Sequence, residues 1–94
     1  MTRKKIMIQG AMDLETELLT ASLEQPRESV FGGWRFIEGI YKDIPLVVAV
    51  TSIGAANAAA ATVLGIEHFQ PAAIINQGTA GGHDPHLHAF DIVL

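Results

Sequence analysis

Apolar residues fall along this chain in short runs, some continuous and some repeating at helical spacing. The continuous run over Lys5–Gln9 ends at Gly10 and predicts a buried strand. The following segment, Met12–Glu24, repeats apolar residues every three or four positions and predicts an amphipathic helix. Pro26 is expected to stop that helix, because proline cannot continue one.

The middle of the chain predicts a hairpin and then a long helix. Trp34–Tyr41 alternates as a strand does, Lys42–Pro45 is expected to turn the chain, and Leu46–Val50 is a β-branched run. Ala55–Phe69 is helical in composition and apolar almost all round, so we expect it to be buried under the fold or in a subunit interface. Pro71 is expected to end it.

The last third adds a strand, a loop and the start of another strand. Ala72–Asn76 predicts a buried strand, Gly78–Gly82 a flexible loop, and Asp91–Leu94 the beginning of a further strand. The order β-α-β-β-α-β-loop-β favours an α/β fold with a mixed, largely parallel sheet covered by helices. Because the sequence stops inside an apolar run, we expect residues 1–94 to be the amino-terminal part of one larger domain.

Composition narrows the class of protein. Of the 94 residues 49% are hydrophobic and 17% charged, which suits a globular core. The net charge of −4 gives no electrostatic footprint for nucleic acid or an anionic membrane. Cysteine is absent, which excludes disulfides and thiol catalysis, and no stretch approaches the roughly 20 apolar residues of a membrane helix. We therefore expect a soluble cytoplasmic protein.

The ends of three predicted strands carry distinctive residues. In open α/β sheets ligands bind beyond the carboxyl ends of the strands. Here those ends are Gln9–Ala11, Thr51–Gly54 and Gln77–Gly82. A cleft built from them would present backbone N–H groups, hydroxyls and one apolar side chain, that of Ile53.

Glu15 is the candidate catalytic residue, because its helical neighbours three and four positions away are all apolar. A carboxylate on an apolar face near a strand end would be partly desolvated, which raises its pKa. A carboxyl with a raised pKa suits general acid–base chemistry near neutral pH. The alternative is that Glu15 complements the helix N-terminus together with Asp13 and Glu17.

The glycine loop and the histidines after it leave alternatives open. Gly78–Gly82 matches neither a P-loop nor a dinucleotide fingerprint, so close approach of backbone to a ligand and a plain turn both remain. Thr79 could offer its hydroxyl to a ligand or bond its own backbone. His83, His86 and His88 could suggest zinc, but Pro85 interrupts any regular frame. We favour a solvated loop there and predict no metal.

Four segments together resemble one enzyme family. Ile8–Glu15, Ser52–Ala59, Ile75–Gly82 and Phe90–Val93 are similar, in order, to the IGAMxxE, SGIGKVNAA, INTGSAGG and VGDIV motifs of bacterial 5′-methylthioadenosine/S-adenosylhomocysteine nucleosidases. These enzymes belong to the wider nucleoside phosphorylase and nucleosidase superfamily. The resemblance implies a three-layer α/β/α fold around a mixed sheet, incomplete in this chain, and a homodimer.

The resemblance also implies a reaction and a set of roles. The reaction is cleavage of the N-glycosidic bond of an adenine nucleoside by water, without metal or cofactor. By this resemblance Glu15 polarises the attacking water, and Thr79 lies near that water and the ribose. Ile53 lines the sugar, Gly81 lies by the base, and Ala80 completes the substrate-binding set.

Departures from the family pattern leave the preferred nucleoside open. Gln77 stands for a threonine, Ser52 for a glycine and Ala55 for a lysine. The family also needs an aspartate that protonates the leaving purine and a glutamate that holds the ribose hydroxyls. Neither has a counterpart in these 94 residues, so the chain alone is expected to be inactive.

Two other functions compete with hydrolysis. One is phosphorolysis on the same fold, for which arginine would best hold the phosphate. Arg3, Arg27 and Arg35 are the only arginines, none lies in a predicted strand-end loop, and Glu15 would repel phosphate, so hydrolysis is favoured. The other is a truncated chain that binds a nucleoside, or pairs with another chain, without chemistry.

Overall fold

A mixed sheet with one helix on each face is the frame of this structure, a computed structural model. It describes residues 4–11, 13–78 and 82–93, and of residues 13–15 only the backbone. The elements in chain order are β1 (Ile6–Gly10), α1 (Asp13–Ala21), β2 (Glu24–Phe31), β3 (Trp34–Tyr41), β4 (Ile44–Val50), α2 (Ala55–Phe69) and β5 (Ala73–Asn76).

The five strands form one sheet in the order β2-β3-β4-β1-β5. β1 lies between β4 and β5 and is parallel to both, with Ile8 opposite Val48 on one side and Ile75 on the other. β2, β3 and β4 are antiparallel neighbours. The sheet is therefore mixed, as predicted, with two parallel and two antiparallel pairings.

Alternating side chains along the strands build a core on each face of the sheet. Met7, Phe36 and Val47 are fully buried on the face covered by α2. Leu46 and Val48 are buried on the opposite face, which α1 covers. Since successive residues of a strand point to opposite faces, this alternation places a helix layer on each side. The predicted three-layer α/β/α arrangement is confirmed.

Only one face of helix α2 packs closely against the sheet. A Cβ atom at Gly65 would overlap the sulfur and the terminal methyl group of Met7, so any larger residue there would force this fully buried side chain to move. Ala61 and Gly65 are the buried residues of α2, whereas Val63 and Ile66 are exposed. The burial predicted for the whole helix is thus found on the face that meets the sheet. Neither described helix has both the length and the apolar character needed to cross a membrane.

The prediction for the end of α1 was wrong. The helix ends at Ala21 rather than Glu24, and the Ser22 N–H closes it by donating to the Leu19 carbonyl at 3.0 Å. The residues that follow form an unpredicted strand, β2, at the edge of the sheet. Pro26 lies inside it, where the register shifts between Glu24 and Arg27, so its missing N–H interrupts no regular ladder.

The predicted hairpin is confirmed with a tighter turn. Tyr41 pairs with Ile44, so the turn is the two residues Lys42 and Asp43, and Pro45 belongs to β4. Both turn residues have positive φ, 47° and 67°, as a type I′ turn requires. That turn is favoured because its twist matches that of the flanking strands.

The strand predicted from Asp91 is not found within the described residues. Residues 91–93 have no strand assignment, and Leu94 lies outside the described part. The Asp91 N–H donates to the His88 carbonyl at 3.1 Å, which is a turn contact. An apolar run becomes a strand only where another strand pairs with it, and none of the five described strands does so here.

Candidate functional site

Three strand-end segments that the sequence predicted to share a cleft lie side by side. They enclose a cavity of about 230 Å³ at the carboxyl ends of the parallel strands. We call this the strand-end cleft; it is lined by Ala11, Thr51, Ser52, Gly54, Ala55, Ala58, Asn76, Gln77 and Gly78. Ligand pockets usually measure roughly 300–1,000 Å³, so the cavity lined by these described residues is smaller than a typical ligand pocket.

Hydrogen bonds from β1 hold the two flanking segments at the same level. The Thr51 N–H donates to the Gly10 carbonyl at 2.9 Å, and the Gln77 N–H donates to the Gln9 carbonyl at 2.9 Å. Both bonds extend the parallel ladders one residue beyond the strands. The two walls of the cleft are therefore built from the sheet itself, which makes their separation a property of the fold.

The β4–α2 loop turns sharply between the sheet and the helix. Ser52 and Gly54 have φ values of 65° and 102°, so two of its residues adopt positive φ. The first bond of α2 runs from the Ala58 N–H to the Gly54 carbonyl, and Gly54 supplies no side-chain cap. The N–H groups before Ala58 consequently have no partner within the helix, and this end of α2 lies at the cleft.

The lining of the cleft is polar but carries no charge. Its polar side chains are those of Thr51, Ser52, Asn76 and Gln77, and none of the nine lining residues is ionisable. Arg35 lies on β3, where its Nε is 2.5 Å from the carboxylate of Glu28, and is not among the lining residues. The described lining can therefore donate and accept hydrogen bonds but supplies no cation for an anion.

The predicted site residues fall partly outside the described structure. The backbone of Glu15 lies in the first turn of α1, but its side chain lies outside the described part. Thr79, Ala80 and Gly81 also lie outside the described residues, immediately after Gly78. Ile53 lies in the β4–α2 loop with its side chain 71% exposed, and it is not among the lining residues. The roles assigned to these residues stay predictions.

The hydrogen bonds described for the histidine segment are local. The Asp84 carboxylate accepts a bond from the His86 N–H at 2.8 Å, and the Asp91 carboxylate accepts one from the His88 N–H at 2.7 Å. His83, His86 and His88 are all exposed. Across residues 4–11, 13–78 and 82–93, no group of three or more metal-ligating side chains comes together.

Sequence reasoning missed four residues at or beside the cleft. Three of them line it, Ala55, Ala58 and Asn76, and the fourth, Trp34, donates its indole N–H to the Thr51 carbonyl at 2.8 Å. Asn76 is the last residue of β5, a position at which a cleft residue could have been foreseen. Trp34 gave no such signal, because it lies on an antiparallel strand far from any predicted strand-end loop.

Comparison with known proteins shows the family of this chain. A family model described as the phosphorylase superfamily matches residues 5–94. The 5′-methylthioadenosine/S-adenosylhomocysteine nucleosidase of Halalkalibacterium halodurans is 43% identical over 90 residues, which are 96% of this chain and 39% of that protein. The chain thus spans about two fifths of the length of the curated relatives that it matches.

Solved structures of the same kind superpose closely. The Neisseria meningitidis nucleosidase, in complex with methylthio-immucillin-A, is 36% identical with a TM-score of 0.87; the match covers 92% of this chain and 37% of that one. The Colwellia psychrerythraea nucleosidase, in complex with adenine, is 32% identical with a TM-score of 0.88; the match covers 93% of this chain and 36% of that one.

Proposed function

Because this chain belongs to the phosphorylase superfamily, we propose that the protein hydrolyses the N-glycosidic bond of an adenine nucleoside. 5′-Methylthioadenosine and S-adenosylhomocysteine are the proposed substrates, in keeping with the names of its relatives. The observation that carries the proposal is the strand-end cleft, where the three segments that resemble nucleosidase motifs come together. No metal or cofactor is part of the proposed reaction.

Glu15 is the proposed water-activating carboxylate. Its helix begins two residues after Ala11, which lines the cleft, so the first turn of α1 starts at the edge of the cavity. Cleavage of a ribosyl bond passes through an oxocarbenium-like state. A carboxylate near the anomeric carbon would stabilise that charge and accept a proton from the attacking water.

The remaining proposed contacts concern the nucleoside itself. Gly78 lines the cleft, so the next residues, Thr79, Ala80 and Gly81, continue the chain from its rim. We assign Thr79 to the ribose side, Ala80 to the substrate-binding set and Gly81 to the base. Ile53, exposed beside the cleft, is assigned to the sugar.

Phosphorolysis is the rival reaction, and one feature of the cleft speaks for it. The N–H groups at the start of α2, which have no partner within the helix, are donors of the kind that bind anions. Against it, the nine lining residues include neither arginine nor lysine. A carboxylate at Glu15 would also repel phosphate. Water is therefore the proposed nucleophile.

The decisive experiment is adenine release by the full-length protein in phosphate-free buffer. We expect turnover of 5′-methylthioadenosine without phosphate, and a loss of roughly 10²-fold or more in Glu15→Gln, since the amide cannot act as a base. Glu17→Gln is the matched control, because Glu17 is an exposed carboxylate on the same helix. Turnover in that variant should stay within twofold of the unmodified protein.

Two outcomes would contradict this proposal. An absolute requirement for phosphate, with a ribose 1-phosphate product, would place the protein among the phosphorylases. Full activity in Glu15→Gln would remove Glu15 from the mechanism. Assay of residues 1–94 alone tests the alternative of a non-catalytic chain, because catalysis without any added partner would count against it.

The proposal includes a homodimer in the cytoplasm. The exposed apolar side chains of Val63 and Ile66 on α2 support a further covering surface on that helix. Sedimentation of the full-length protein at micromolar concentration should give twice the monomer mass. A monomer at that concentration, or recovery of the protein outside the cytoplasmic fraction, would contradict this part of the proposal.

A further inference from the structure

Trp34 reaches from the antiparallel part of the sheet to the wall of the strand-end cleft. It is the first residue of β3 and the only tryptophan among the 94 residues. Its indole Nε1–H donates to the Thr51 carbonyl at 2.8 Å in a partly buried position. Its ring packs against the core beneath α2. Trp34 itself does not line the cleft.

The backbone at Thr51 is thereby held from two strands. On the β1 side, the Thr51 N–H donates to the Gly10 carbonyl at 2.9 Å. On the β3 side, the Thr51 carbonyl accepts the indole N–H. Thr51 is only 3% exposed, so water cannot readily replace the indole as a donor to that carbonyl. Trp34 thus holds the residue from which the β4–α2 loop leaves the sheet.

The loop beyond this point has a conformation that needs support. Ser52, the next residue, has a φ of 65°, which an ordinary side chain adopts rarely. Such residues persist where the surrounding structure determines their geometry. The Thr51 hydroxyl contributes by donating to the Ser52 carbonyl at 3.0 Å, and Trp34 contributes by fixing the peptide that joins the two residues.

The position of Trp34 is itself determined by the hairpin between β2 and β3. A Cβ atom at Gly32 would lie 3.1 Å from Leu64 Cδ1 and 3.2–3.3 Å from the six-membered ring of Trp34. The bare backbone of Gly32, whose φ is 59°, therefore lets the indole lie between the turn and helix α2. A ring confined in this way can donate its N–H in one direction only.

We infer that Trp34 is a positioning residue, which holds the Thr51–Gly54 wall of the cleft in the shape that binds the nucleoside. The inference rests on the proposed function. Trp34 acts through the loop and touches no reacting group. Loss of its N–H therefore weakens nucleoside binding, while the chemistry that depends on Glu15, on a different element, proceeds at its normal rate.

The test is Trp34→Phe in the full-length protein, because phenylalanine keeps an aromatic ring but has no N–H. We expect KM for 5′-methylthioadenosine to rise about threefold to tenfold, the range that one hydrogen bond supports, with kcat within twofold. The dissociation constant of a nucleoside analogue such as methylthio-immucillin-A, measured by calorimetry, should rise by a similar factor. A merely structural role would lower the melting temperature and leave KM and this constant unchanged.

Phe31→Leu is the matched control. Phe31 packs against the same core and pairs with Trp34 in the hairpin, and its ring stacks on His68 at the end of α2 that lies away from the loop. This variant should lose thermal stability with KM within twofold. If Phe31→Leu raises KM as much as Trp34→Phe does, loosened packing explains the effect and the inference is overturned.

A second substitution separates the N–H from the size of the ring. Benzothienylalanine at position 34 replaces the indole N–H by sulfur with almost the same shape, so it preserves packing even if Trp34→Phe fails to fold. It should reproduce the rise in KM; an unchanged KM overturns the inference. If the unmodified protein releases no adenine, the proposed function fails instead, and unchanged affinity for the nucleoside analogue in the benzothienylalanine protein would separately overturn the role of Trp34.

Discussion

The two halves of the sheet share β4 and differ in what they contribute. In the antiparallel half, β2, β3 and β4 are joined by two-residue turns at Gly32–Gly33 and Lys42–Asp43. In the parallel half, β4, β1 and β5 are brought together from distant parts of the chain, with helices between them. The first half is built from local contacts and the second from long-range ones.

This difference explains where the cleft lies. Two-residue turns join antiparallel strands directly, so no residues are left over to line a cleft at those ends. Parallel strands need long crossover connections, and the first residues of each connection lie at the carboxyl end of a strand. All three segments of the strand-end cleft begin such crossovers or follow β5. The antiparallel half contributes support instead, through its core side chains and the indole of Trp34.

The largest loss in the free energy of unfolding is expected from a substitution in the core of the antiparallel half. Phe36 on β3 is fully buried. The centroid of its ring lies 5.5 Å from that of Phe69 and 5.8 Å from that of Phe31. Phe36→Ala should lower the free energy of unfolding by about 3–5 kcal/mol, because it removes buried apolar surface and leaves a cavity. Urea denaturation measures this loss.

The control for Phe36→Ala is a residue on the edge of the same half. Val30 on β2 is 60% exposed, and Val30→Thr keeps the branched shape, so its effect should stay within about 0.5 kcal/mol. Below the melting temperature, Phe36→Ala should bind the nucleoside with KM within twofold, since Phe36 does not line the cleft. A tenfold rise in KM would show that the two halves are not separable in this way.

The sequence predicted the parallel half better than the antiparallel half. β1, β4 and β5 are apolar runs that can be recognised without knowledge of their neighbours. The burial predicted for β5 was wrong, because β5 is the edge strand of the described sheet and all four of its residues are exposed. β2 was missed, since it is largely exposed and contains Pro26, so its alternation carries little apolar signal. It is a strand because β3 pairs with it, and that is tertiary information. Gly32–Gly33, a hairpin dipeptide, was the local signal that could have indicated it.

The location of the candidate site could be predicted from the sequence, but the side-chain contacts that hold its residues in place could not. The rule that ligands bind beyond parallel strand ends selected the three segments that do meet at the cleft. The rule does not reach Trp34 or Thr62, because both act across elements that are separated in sequence. Their partners, the Thr51 carbonyl and the Gln9 side chain, become neighbours only when the sheet and α2 have packed.

A smaller effect should come from a polar contact in the parallel half. The Thr62 hydroxyl on α2 donates to the Gln9 side-chain oxygen at 3.0 Å and also lies 2.7 Å from the Ala58 carbonyl. Gln9 is only 8% exposed, so Thr62→Val leaves its oxygen without this donor. We expect a loss of about 1–2 kcal/mol in the free energy of unfolding, measured by urea denaturation.

A double substitution checks this explanation. Gln9→Leu combined with Thr62→Val replaces both partners by apolar groups and should recover most of the stability. KM should stay within twofold in Thr62→Val, because Gln77 is held by the backbone carbonyl of Gln9 and not by its side chain. Equal losses in the single and double variants would mean that packing, not the hydrogen bond, is responsible.

The smallest effect concerns the ion pair that joins the two halves. Lys5, just before β1, crosses β4 to reach Glu38 on β3, with 2.7 Å between Nζ and Oε2. The same ammonium lies 5.5 Å from the centre of the Phe69 ring. Both side chains of the pair are partly exposed, 37% and 26%, so solvent screens much of the attraction. Glu38→Gln should therefore cost only about 0.5–1 kcal/mol at low salt.

Glu28→Gln is the internal comparison, because the Glu28–Arg35 pair lies wholly within the antiparallel half and is more exposed, at 50% and 45%. Its loss should be about 0–0.5 kcal/mol. Urea denaturation at about 0.05 M and 1 M NaCl measures both losses in the free energy of unfolding. Both should be smaller at 1 M, because the Debye length falls to about 3 Å there. The Glu38 variant should keep the larger residual, since its carboxylate is the more buried of the two. A salt-independent loss in Glu38→Gln would indicate packing of the carboxyl group and not a charge contact between the halves.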